Sequence, residues 1–129
     1  METGRMQTPL RRVRHLGSAH EGTLHFWRQR LTAVANVPLV VGFIVLMICL
    51  AGRPHQEVAA ALGSPLIAAM LLLLIASVTI HMRIGVQVVI EDYVHNEGLK
   101  LGLLAANTFF AVVIAVASGI AILKLALGG

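Results

Sequence analysis

Charge is scarce in this chain and cysteine almost absent. Of 129 residues only 12% are Asp, Glu, Lys or Arg, whereas 57% are hydrophobic, and the mean hydropathy is +0.84. So little charge excludes an ordinary soluble domain. The single cysteine, Cys49, lies in an apolar run, which excludes a disulfide framework or a cysteine-based metal site within the chain. There is no dinucleotide loop and no flavin-site pattern, so the chain cannot do hydride chemistry alone. Internal repeats are missing, and so is any stretch that reads as a soluble domain. A cleavable signal peptide is not expected, because the first apolar stretch is too long and too far from Met1.

What is present is apolar length. Leu31–Gly52, Val58–Met82 and Leu101–Leu123 carry no Asp, Glu, Lys or Arg, and about 20 residues at 1.5 Å each suffice to cross a bilayer core. Backbone groups in lipid must be satisfied within the segment, so each run is expected to be a helix. The expected fold is an all-α membrane protein with three transmembrane helices, over about 29–52, 62–91 and 99–125. A disordered basic tail is expected over 1–19, with a single membrane domain over 20–129.

Six of the ten basic residues precede or enter the first span: Arg5, Arg11, Arg12, Arg14, Arg28 and Arg30. By the positive-inside rule the N-terminus is cytoplasmic, the Glu91–Lys100 link is inside and the C-terminus lies on the opposite side. The basic tail therefore points to anionic lipid and not to nucleic acid. The expected location is the bacterial inner (cytoplasmic) membrane. The Arg-rich, acid-poor start also resembles a transit peptide, which makes the mitochondrial inner membrane the alternative.

Phe26 and Trp27 stand where an interfacial aromatic belt would be. Gln29, Thr32 and Asn36 form a polar stripe on the first helix, and Pro38 is expected to cause at most a modest kink. Gly52 to His55 reads as a short outside turn, with the second helix starting between Glu57 and Pro65 and reaching about Tyr93. The five-residue link Val94 to Gly98 makes the second and third helices antiparallel neighbours. Ala111, Ala115 and Gly119 give the third helix a small-residue packing face, and Lys124 can snorkel outward.

The residues with chemical potential centre on His81, an imidazole at membrane depth. Ionisable groups there are costly and mark function by default. On a helix His81, Gly85 and Asp92 fall within about 40° of one another. Neutral imidazole is a common axial ligand to haem iron, and Ser77 and Gly85, one turn to either side, would clear a groove for a flat group. The plainer reading is a packing histidine bonded to Ser77. One histidine supplies one axial bond, and no other histidine clearly lies at that depth, so the second ligand is expected from another chain. Asp92 and Tyr93 read either as a helix end with a belt tyrosine, or as a phenol donor for a quinone carbonyl beside a proton-relaying carboxylate. Arg28 and Arg30 are expected at the depth of Tyr93, as anchors or as a partner for a haem propionate. Arg83, on the far face from His81, is expected to snorkel or to pair with a neighbouring subunit. Asn36 and Asn107 read as interhelical glue.

With the run Trp27-Arg28-Gln29-Arg30-Leu31-Thr32-Ala33 entering the first helix, and His81-x3-Gly85-x6-Asp92-Tyr93 in the second, the chain resembles the hydrophobic membrane anchor subunit of succinate dehydrogenase. The resemblance covers roughly Phe26 to the C-terminus. It implies haem b shared with a second membrane anchor (cytochrome b) subunit, with His81 as one axial ligand and Arg30 near the propionates. It implies ubiquinone as substrate beside Tyr93 and Asp92. It also implies an iron–sulfur subunit and a flavoprotein subunit as partners, which alone carry the clusters and FAD. The chain would be part of an enzyme, a succinate:quinone oxidoreductase, without catalysing anything by itself. Three other readings stand beside this one: a quinol:fumarate reductase anchor, a non-catalytic structural membrane protein with His81 as packing, and a transporter fragment.

Overall fold

A computed structural model describes residues 21–128; the tail expected over 1–19 lies outside them. Four helices follow one another: α1 (Glu21–Leu50), α2 (His55–Leu62), α3 (Pro65–Tyr93) and α4 (Glu97–Ala126). Among the described residues there is no strand. Helices α1, α3 and α4 are each long and apolar enough to cross a membrane. At 1.5 Å per residue, 29 or 30 residues span about 45 Å, well beyond the ~30 Å hydrocarbon core.

Local chemistry explains the boundaries. Helix α1 runs unbroken through Pro38 and stops where Gly52 takes a positive φ of 74°, a conformation open to glycine without a Cβ penalty. Arg53 closes that end, its Nε donating to the Cys49 carbonyl at 3.1 Å while Nη1 pairs with Glu57 at 3.2 Å. The segment after the turn is a separate short helix, α2, which the sequence reading had folded into the approach to the second span. Pro65 explains the break: it occupies the first turn of α3, where its missing N–H costs nothing, and it disfavours helical geometry in the residue before it. At the other end of α3, Asn96 caps α4 by accepting from the Leu99 N–H at 3.0 Å, one of the donors a helix start leaves unpaired.

Helix α3 is the middle of the bundle, packed along α1 on one side and α4 on the other. A buried cluster of Ala68, Leu71, Leu74 and Ile122, backed by Leu39, Phe43 and Leu46, fills the half nearer α2. The small-residue face of α4 packs as expected. Ala111 is buried, and a Cβ on Gly119 would lie 3.9 Å from Leu72 Cδ2. Elsewhere the apolar side chains face outward: Val34, Leu66 and Phe109 are 73, 83 and 72% exposed. In water such a surface would drive aggregation, so it belongs against lipid or other membrane helices.

Candidate functional site

The register of α1 against α3 assembles the site. Thr32 meets His81, Gln29 lies over Gly85 and Gly42 lies against Met70, so the two helices are antiparallel. His81 sits in the half of the interface away from the apolar cluster, half-buried against α1. Its Nδ1 is 3.1 Å from Thr32 Oγ1, and its Nε2 has no hydrogen-bond partner among the described residues. Thr32 Oγ1 also lies 2.8 Å from the Arg28 carbonyl and 3.1 Å from that of Gln29. Ser77, one turn before His81, does not bond it. Ser77 Oγ donates to the Thr32 carbonyl at 3.3 Å.

A Cβ on Gly85 would meet Gln29 Nε2 at 3.6 Å, so this glycine lets α1 come close to α3 one turn after His81. One turn further toward the end of α3 the interface opens. A groove of about 350 Å³ is lined by His25, Phe26, Gln29 and Arg30 of α1 and by Ile84 and Val88 of α3. Arg30 lies over the Phe26 ring, 4.9 Å from its centroid, a cation–π contact that orients the guanidinium. Gln29 Oε1 is buried there without a partner among the described residues. Such an acceptor is costly unless something else supplies a donor.

This register corrects one expectation. Arg28 and Arg30 flank Gln29, which lies over Gly85, so they are about eight residues and thus about 12 Å from Tyr93. Asp92 and Tyr93 end α3 and are exposed, Tyr93 by 78%. Neither makes a side-chain hydrogen bond among the described residues.

On the opposite face of α3, Arg83 Nε donates to Thr108 Oγ1 of α4 at 3.2 Å. Asn107 Nδ2 donates to the Arg83 carbonyl at 2.9 Å, which is the interhelical role read for it. Asn36 makes no such bond; its Oδ1 is buried without a partner among the described residues. The same residues contain no group of three His, Cys, Asp or Glu side chains able to hold a metal ion. Chemically, then, the interface presents one imidazole anchored through Nδ1, with Nε2 available to a ligand that brings its own remaining donors.

The family model described as succinate dehydrogenase/fumarate reductase transmembrane subunit matches residues 4–122. The chain belongs to that family. It is 31% identical over 110 residues to the succinate dehydrogenase hydrophobic membrane anchor subunit of Paracoccus denitrificans, covering 85% of each chain. It is 27% identical over 111 residues to the protein of the same name from Rickettsia bellii, covering 86% of this chain and 89% of that one. No solved structure matches. For a transmembrane subunit of this family, the residue that sequence reasoning passed over is Thr32. It was visible as one position of a polar stripe with Gln29 and Asn36, but only the helix register reveals that it meets His81.

Proposed function

We propose that this chain is a membrane anchor subunit of succinate dehydrogenase in the bacterial inner membrane, with its N-terminus cytoplasmic. It would hold the flavoprotein and iron–sulfur subunits to the membrane alongside a second anchor, ligate haem b through His81, and form part of the ubiquinone site with Tyr93 and Asp92. The observation that carries this reading is the state of His81 on the central span, with one ring nitrogen hydrogen-bonded to Thr32 and the other without a partner among the described residues. A ligating imidazole is normally held in this way by an acceptor at its second nitrogen. The names of the two relatives favour succinate dehydrogenase over the fumarate reductase half of the family.

Haem bound there supplies a one-electron carrier between two membrane subunits. This chain's own residues supply the binding. His81 Nε2 would hold the iron, together with a ligand from the second anchor subunit. Arg30, which lines the open groove with Ile84 and Val88 about one turn past His81, is suited to a propionate, since guanidinium and carboxylate meet in two parallel hydrogen bonds. Ser77 and Gly85 act as close-approach positions that bring α1 to His81. Tyr93 offers an O–H to a quinone carbonyl at the exposed end of α3, where the soluble subunits would dock, and Asp92 beside it can take up or pass a proton.

The test is to tag the chain, extract it gently from its native membrane and assay for succinate-driven reduction of a ubiquinone analogue. Activity co-purifying with a flavin-containing subunit is expected. A clean preparation with neither partner nor activity would sink the proposal.

A further inference from the structure

We infer that Thr32 is a positioning residue for His81, fixing the imidazole tautomer and ring orientation so that Nε2 is the ligating nitrogen. The inference rests on the haem-ligand reading of His81 and goes beyond it by naming what holds the ligand.

A threonine hydroxyl has one proton and two acceptor lone pairs. The shortest of the three contacts of Thr32 Oγ1, 2.8 Å, is to the Arg28 carbonyl four residues earlier, the back-bond that helical threonines form readily. With its proton spent there, Oγ1 faces His81 Nδ1 at 3.1 Å as an acceptor. Nδ1 meets it as an N–H, and a proton on Nδ1 leaves the Nε2 lone pair free. Ligation and hydrogen bonding thus support one another. Iron at Nε2 requires the proton on Nδ1, and an N–H at membrane depth without an acceptor is costly.

The rest of the interface keeps Thr32 in place. Ser77 Oγ, one turn before His81 on α3, donates to the Thr32 carbonyl at 3.3 Å, so α3 grips the same residue at its backbone and at its hydroxyl. Gly85, one turn after, lets Gln29 close over the helix. An acceptor on Nδ1 also makes the imidazole a stronger donor to iron. That favours the oxidised form, so losing the acceptor should raise the haem midpoint potential.

The experiment uses the purified complex. Thr32→Val keeps the branched shape and removes the hydroxyl; Thr32→Ser keeps the hydroxyl. Haem spectrum, midpoint potential and the rate of haem loss to an apo-globin acceptor are measured for each. Thr32→Val should retain haem with a raised potential and lose it roughly tenfold faster, and Thr32→Ser should return both toward wild type. Wild-type potential and haem retention in Thr32→Val would overturn the inference, as would a Thr32→Ser complex shifted as far as Thr32→Val. If the valine variant does not assemble, Thr32→Ala against Thr32→Ser makes the same comparison. A His81→Ala complex separates the two levels of the argument. Full haem b in that complex refutes the ligand reading itself. Haem lost from it, with Thr32→Val unaltered, refutes only the role of Thr32.

Discussion

At the scale of single residues, the proposed haem and quinone residues differ in what they touch. His81 is held from within the chain, through Thr32, whereas Tyr93 is 78% exposed and has no intrachain partner for its phenol among the described residues. A tyrosine whose O–H serves a bound quinone is expected to affect quinone handling and little else. Tyr93→Phe should raise the KM for a ubiquinone analogue by about tenfold, the value of one hydrogen bond of about 1.4 kcal/mol. Succinate oxidation by an artificial acceptor should stay unchanged. Steady-state assays with both acceptors check this, and an equal fall in the two would show that the substitution harms assembly instead. Arg83 illustrates the opposite case. From the sequence it is expected to snorkel or pair with a neighbouring subunit; in the structure its Nε donates to Thr108, and its carbonyl accepts from Asn107. Both are contacts that fasten α3 to α4.

At the scale of elements, α2 ties the turn after α1 to the far end of α4. Gly63, just past its last residue, sits so close to α4 that an added Cβ would lie 2.5 Å from the Leu125 carbonyl oxygen. Its φ of −82° is open to any residue, so the close approach alone demands glycine. Gly63→Ala should therefore force α2 off α4, at about 1–3 kcal/mol, and lower the thermal midpoint of the complex. Gly102, within α4, is the control. A Cβ there meets nothing within 4 Å, and Ala is the better helix former by about 1 kcal/mol, so Gly102→Ala should hold or raise the midpoint. Differential scanning of the detergent-extracted complex checks both. Helix α2 escaped the sequence reading because eight residues are too few for periodicity to separate a helix from a turn; Pro65 was the available signal.

At the scale of the whole molecule, three long helices with a single central partner leave most of α1 and α4 uncovered. The core is thin, with its buried cluster in one half of the α3 interfaces, and among the described residues no side chain is fully buried. The bundle is thus a component that lipid and other subunits complete. Three crossings would put the termini on opposite sides of the membrane, and the six arginines before or at the start of the first span set the expected orientation. A reporter active only outside the cytoplasm should work when fused after residue 129 and stay silent when fused before residue 1. The reverse pattern would invert the proposed topology and place Tyr93 on the wrong face for soluble catalytic subunits.

The sequence alone determined the class of molecule. Uncharged runs of more than 20 residues leave the backbone no choice but helix in lipid, and the short Val94–Gly98 link makes α3 and α4 neighbours. The spacing of His81, Gly85 and Asp92 was legible too, because residues on one helix keep a fixed angular relation. The tertiary structure decided what crosses between helices: that Thr32 meets His81, that Gln29 covers Gly85, that Arg30 shares a groove with Ile84 and Val88, and that Arg83 turns to Thr108. Those pairings depend on the sliding register of one helix against another. Register is set by the summed packing of small residues such as Gly42, Gly85 and Ala111 along whole interfaces, and no local pattern in either strand of sequence encodes it.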